Sequence, residues 1–237
     1  LAGFQGLSIL SAIIVTLTFL FFSKAFKLTL WSQTILFPIF VFLLEPVNII
    51  SMRGQQISLL FLGILFYLLA NIQTLSNSKK WIAIPLLFLL WVNIHGQFLL
   101  GLGLLLVFLI TKLSVIFYEG KKFPKKEFAN FSSILTLSII ATFIDPFGLG
   151  IYADTLSYLG NPDLKNIAEF LPFSDLSNSW RVYIIISFFV LIGAFFLKLN
   201  DKLSNSLPFL AITLLLAILS FSVKRYAWSY YYTTLLF

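Results

Sequence analysis

Apolar residues run along this chain in long blocks, neither alternating as in a half-buried strand nor confined to one stripe as in a soluble helix. The blocks are Leu7–Phe22, Leu28–Leu44, Ile57–Leu75, Trp81–Ile94, Phe98–Tyr118, Phe131–Ile144, Val182–Leu199 and Leu207–Val223. A membrane-crossing helix needs about 20 mostly apolar residues, fewer when flanking side chains reach back to the interface. The pattern predicts an all-α, polytopic integral membrane bundle of about eight transmembrane helices. Trp81 to Tyr118 is read as two helices, because one would be about 57 Å long at roughly 1.5 Å per residue, nearly twice the hydrocarbon thickness. Lysines flank both ends of that stretch, so it is expected to turn back at Asn93-Ile94-His95-Gly96-Gln97.

Composition agrees with lipid as the solvent. Only 11% of the 237 residues are charged, 59% are hydrophobic, and 28 are phenylalanine. A soluble domain carries about a quarter charged residues. The net charge of +7 is read as loop lysines holding the topology rather than as a nucleic-acid surface. No cysteine is present, which excludes disulfides and thiolate metal sites. No repeat, low-complexity tract or interdomain linker appears, so residues 1–237 are expected to form a single transmembrane domain, a fragment of a longer chain.

The charges alternate from loop to loop. Lys24, Lys27, Lys79, Lys80, Lys121, Lys122, Lys125, Lys126, Lys198 and Lys202, with Lys112 at a helix end, fall on one side with Glu119, Glu127 and Asp201. Arg53, Lys165, Arg181, Lys224 and Arg225 fall on the other, with Glu45, Asp145, Asp154, Asp163, Glu169 and Asp175. Lysine-rich loops stay in the cytoplasm, which assigns the loops at 45–56, 93–97, 145–181 and 224–232 to the non-cytoplasmic face of a cell membrane.

Candidate chemistry collects on that second side. Arg53, Gln55, Asn93, Lys224, Arg225 and His95, the single histidine, would suit an anionic, phosphorylated ligand, because guanidinium and imidazolium donate to phosphate oxygens. Each also has a plainer reading. His95 and Gly96 close a tight hairpin, Arg53 snorkels at an interface, and Asp145 before Pro146 forms a turn. Lys224 and Arg225 precede Tyr226, Trp228 and Tyr230 to Tyr232, as in an interfacial aromatic belt. Between the sixth and seventh blocks, Tyr152, Leu156 and Leu159 form one helical face. Asn161-Pro162-Asp163 then starts a second, with Leu164, Ile167 and Leu171 as its stripe. Two short amphipathic helices on the outer surface are expected within residues 145–180.

Arg53-x-Gln55, the Trp91-Val92-Asn93-Ile94-His95-Gly96-Gln97-Phe98-Leu99-Leu100-Gly101 hairpin, Asp145-Pro146-Phe147-Gly148, Ile167-Ala168-Glu169-Phe170 and the late Lys224-Arg225 pair occur in that order. Over roughly Arg53 to Phe237 the chain resembles bacterial polytopic membrane proteins related to the glycosyltransferase C superfamily. The resemblance implies a membrane enzyme that takes sugar from a polyprenyl-phosphate donor at the non-cytoplasmic face, with membrane lipid and the polyprenyl-phosphate-linked sugar as partners and no nucleic acid. In that superfamily an acidic residue of the first outer loop activates the acceptor and basic residues hold the lipid phosphate. Arg53, His95, Lys224 and Arg225 would then be phosphate contacts, and Glu169 an acceptor-side group. The group usually has Asn-Pro-Tyr-Gly where this chain has Asp145-Pro146-Phe147-Gly148, so Asp145 is not carried over as a base. Leu7–Phe22 matches the second span of the fold, which places the first span, its loop and the general base upstream of Leu1. No cofactor is called for; a divalent metal is compatible but nothing in the sequence indicates one. An O-antigen polymerase or ligase and a transporter or flippase of lipid-linked substrates are the competing functions. The acidic balance of the 145–181 loop weighs against the first, and the scarcity of deep charges against the second.

Overall fold

The computed structural model describes residues 3–44, 53–119, 125–157, 161, 163, 174, 185, 188, 192, 203–222, 226, 229, 230, 233 and 234. Among them the regular structure is entirely helical: α1 (Gly3–Ala25), α2 (Leu30–Leu44), α3 (Gly54–Ala70), α4 (Asn77–Val92), α5 (Phe98–Tyr118), α6 (Lys125–Ala141), α7 (Gly150–Ser157) and α8 (Leu203–Ser222). Two of these, α1 and α5, are long and apolar enough to cross a membrane; Leu30–Val41, Gly54–Ala70 and Leu207–Ser222 are shorter apolar helices. The chain falls into two compact units, Leu1–Gly103 with Ser132–Gly148, and Leu104–Phe131 with Leu149–Leu235.

The first unit is organised by α1 lying along α3. Ser11 Oγ donates to Gln56 Oε1 at 3.0 Å. Two turns further on, the Thr18 carbonyl lies 3.2 Å from where a Cβ on Gly63 would sit. Phe21 meets Tyr67 and Phe22 meets Phe66, with ring centroids 5.8 and 5.3 Å apart. The constant register means that the two helices run parallel, so α2 carries the chain back between them. Phe37 and Phe40 of α2 pack edge-on against Phe19. By contrast α4 is antiparallel to α3. Lys80 Nζ, at its start, donates to the Ile72 carbonyl just past the end of α3 at 3.4 Å, and Trp91, at its end, reaches Ser58 in the second turn of α3.

This topology gives the unit two chemically different ends. Lys24, Lys27, Lys79 and Lys80 are at one. Arg53, Asn93 and His95 are at the other, joined by the tip of α6 through Asn93. Along the flanks, apolar side chains face outward over whole helices: Ile9, Ile13, Leu17 and Leu20 on α1, and Ile82, Leu86 and Leu90 on α4.

The helix boundaries depart from the hydrophobic blocks where side chains cap the backbone. The block expected to run to Leu75 ends at Ala70, because Asn71 Nδ2 donates to the Tyr67 carbonyl and the Asn71 N–H closes on Leu69 and Tyr67. The sixth helix starts at Lys125, inside the basic loop, and ends three residues early. Its last N–H groups, on Thr142, Phe143 and Ile144, take carbonyls three residues back. Lys112 is not at a helix end but within α5, where it is buried with Glu119 as an electrostatic partner.

In the second unit, Phe108 of α5 packs against Phe209 of α8, and Phe188 against Phe221. Of the block Val182–Leu199 only Ile185, Phe188 and Ile192 are described, each helical. Helix α7 is the first of the expected surface helices, and none of its residues is buried. The second, over 164–171, lies outside the described residues, although Asn161 Oδ1 accepts the Asp163 N–H at 3.0 Å in the manner of a helix start.

The C-terminus of α1 closes with Leu28 N–H on the Ser23 carbonyl and Lys27 N–H on the Lys24 carbonyl, a Schellman arrangement. Its left-handed position, usually glycine, holds Lys27 at φ 54°. Left-handed backbone costs an L-residue with a Cβ about 1–2 kcal/mol. Lys27→Gly is therefore expected to stabilise the protein by about 0.5–1 kcal/mol and Lys27→Val to destabilise it, as read from unfolding in detergent.

Candidate functional site

Arg53 is the N-cap of α3, exposed and extended, and its carbonyl accepts the Gln56 N–H at 3.0 Å. Gln55 follows, half-buried, in the first turn. Helix N-termini carry partial positive charge, so a guanidinium here adds to a field that already favours anions.

The 93–97 turn folds over that helix end. A Cβ on Gly54 would lie 2.7 Å from His95 Cδ2, so the imidazole rests on the one residue of the first turn that lacks a side chain. One turn further along α3, Ser58 Oγ is 2.8 Å from His95 Nδ1 and accepts the Trp91 indole N–H at 3.0 Å. Ser58 and Trp91 are almost fully buried, 2% and 1% exposed, whereas His95 is half-exposed. Trp91 is clamped in turn. It stacks on Phe88 at 5.9 Å and tilts against Phe61 at 5.7 Å, while Gly101 of α5 passes so close that a Cβ there would lie 2.5 Å from its Cζ3.

Of the residues singled out in the sequence, the structure brings His95 against Gly54, the residue after Arg53. Asn93 sits at the C-cap of α4, where its Nδ2 donates to the Leu89 carbonyl at 2.8 Å and to the Ile144 carbonyl at 3.0 Å. Its amide nitrogen thus ties the turn to the end of α6. Asp145 has the turn-forming role: its Oδ1 accepts the Phe147 N–H, its carbonyl accepts the Gly148 N–H, and Gly148 takes φ +51°. Glu169, Lys224 and Arg225 lie outside the described residues, as does Glu45. Among the described residues no three histidine or carboxylate side chains gather as a metal site would require.

Ser58 and Trp91 went unrecognised as site residues, although spacing carried the signal. Ser58 is four residues after Gly54 and Trp91 four before His95, so each pair shares a helical face or turn. The arrangement is a basic helix terminus with a firmly held imidazole at its mouth, suited to donating hydrogen bonds to an acceptor-rich ligand. No family model, no curated protein and no solved structure matches the chain.

Two glycines of α5 give a direct test of the clamp. Gly101→Ala must push Trp91 off Ser58 and is expected to cost about 1–3 kcal/mol. Gly103→Ala meets nothing within 4 Å and is expected to be neutral or stabilising by up to about 1 kcal/mol. Thermal unfolding of both variants in detergent would read the difference.

Proposed function

We propose that the chain belongs to a polytopic bacterial membrane protein that transfers sugar from a polyprenyl-phosphate donor at the non-cytoplasmic face of the inner membrane. The observation that carries the reading is the seating of His95 on Gly54, beside Arg53 at the N-terminus of α3. Residues far apart in sequence meet at one helix end of a largely apolar unit, where intramembrane and juxtamembrane polar groups are costly unless used. Arg53 and His95 are the proposed phosphate contacts, with Gln55 beside them. Asn93 serves by holding the turn. Glu169, Lys224 and Arg225 remain candidates on sequence grounds, and no carboxylate of this chain is assigned as the base.

The proposed membrane arrangement has about eight spans. Support comes from the outward apolar stripes of α1 and α4 and from the separation of the lysine end from the arginine–histidine end. Trp31 is 81% exposed at the lysine end, where Trp81 adjoins Lys79 and Lys80; amphipathic aromatics of this kind sit at the headgroup level. With lysines inside, Arg53 and His95 face outward.

The test is transfer. The whole protein in bacterial membranes would be given radiolabelled polyprenyl-phosphate sugars, with Arg53→Ala and His95→Ala at matched abundance beside it. Wild type is expected to move label into lipid, glycan or protein, and each variant to lose at least about tenfold, the equivalent of one charge-assisted hydrogen bond. Absence of both transfer and donor binding across a panel of sugars would refute the reading.

A further inference from the structure

The hydroxyl groups of this chain's helices have a common habit. Ser8, Thr16, Thr18, Thr34, Thr111, Ser114 and Ser138 each donate to the carbonyl four residues back in their own helix. Ser58 does otherwise. Its Oγ is turned across to the 93–97 turn, 2.8 Å from His95 Nδ1 and 3.0 Å from Trp91 Nε1.

Counting protons around that oxygen decides which way the bonds run. Indole nitrogen only donates, so Trp91 takes one of the two lone pairs of Ser58. The hydroxyl has one proton, and His95 Nδ1 is the acceptor it faces. Were Nδ1 protonated instead, Ser58 would accept twice and its own proton would be stranded at a site 2% exposed to solvent. A buried donor without an acceptor is among the more costly arrangements in a protein. We infer that Ser58 is a positioning residue that fixes His95 as the neutral tautomer protonated on Nε2.

This carries a chemical consequence for the proposed phosphate site, on whose reading that part rests. His95 meets a ligand as a neutral N–H donor through Nε2 rather than as an imidazolium. It therefore suits an oxygen acceptor such as a phosphate or pyrophosphate oxygen, and it is not the general base, because the nitrogen able to accept a proton is turned inward to Ser58. Gly54 supports the same geometry by leaving room for the ring edge.

His95 is the one histidine in the chain, so protein labelled with 15N-histidine gives a single imidazole. In lipid nanodiscs at neutral pH, NMR should find the directly bonded proton on Nε2 and none on Nδ1. In Ser58→Ala the Nδ1 15N shift should move to that of a ring nitrogen with no hydrogen bond from a hydroxyl, and Ser58→Thr, which keeps the hydroxyl, should restore it. A wild-type ring protonated on Nδ1, or an Nδ1 shift unchanged in Ser58→Ala, would overturn the assignment. The wild-type spectrum decides the matter even if Ser58→Ala fails to fold. An Nε2–H ring together with undiminished sugar transfer by His95→Ala would uphold the tautomer and sink the phosphate role.

Discussion

An imidazole lies across the first turn of α3 only because residue 54 is glycine, and much of the first unit follows from that close approach. With His95 seated there, Ser58 is within reach of both the ring and the Trp91 indole, so α3 and the end of α4 are joined by directed bonds as well as by apolar contact. Trp91 in turn needs Gly101 to pass its ring, which ties the start of α5 to the same point. Asn93 brings in the tip of α6. Four helices thus converge on one small polar cluster.

Such a cluster matters because the helices around it are apolar. In an apolar surrounding, an unpaired polar group costs several kcal/mol; the helical hydroxyls described here bond within their own helix or across to a partner, save Ser23 Oγ, which is buried without one among the described residues. Most of those described in this chain stay within their helix. Ser11 and Ser58 reach across, to Gln56 and His95, and both bonds involve the first turns of α3. The polar groups that define this end of the unit are therefore also the ones that orient its helices. The opposite end carries exposed lysines and the left-handed Lys27, and there Lys80 Nζ reaches across from α4 to the Ile72 carbonyl just past α3.

Much of this was legible in the sequence wherever hydropathy or turn chemistry decides the outcome. The length of the Trp81–Tyr118 stretch required a break at 93–97, and the break is there. Asp145-Pro146-Phe147-Gly148 reads as a turn and forms one. Helix ends were less legible, since Asn71 stops α3 inside an apolar block by a side-chain bond that an average over hydropathy cannot register. Lys112 reads as a loop-side lysine by its neighbours, yet it is buried. The site was half legible. Arg53 and His95 stand out as rare ionisable residues in an apolar chain. Ser58 and Trp91 do not, because serine and tryptophan are ordinary residues in apolar helices and their role depends on a contact between segments more than thirty residues apart.

Ser58 and His95 act as one unit rather than as two residues that happen to be near each other. A double-mutant cycle with Ser58→Ala, His95→Ala and the double variant, scored by unfolding free energy in detergent, tests that most directly. A coupled pair should show an interaction energy of at least about 0.5 kcal/mol, because removing either partner strands the other. Additivity to within about 0.3 kcal/mol would mean that the hydrogen bond does not hold the turn to α3, and the geometry of the site would lose its physical basis.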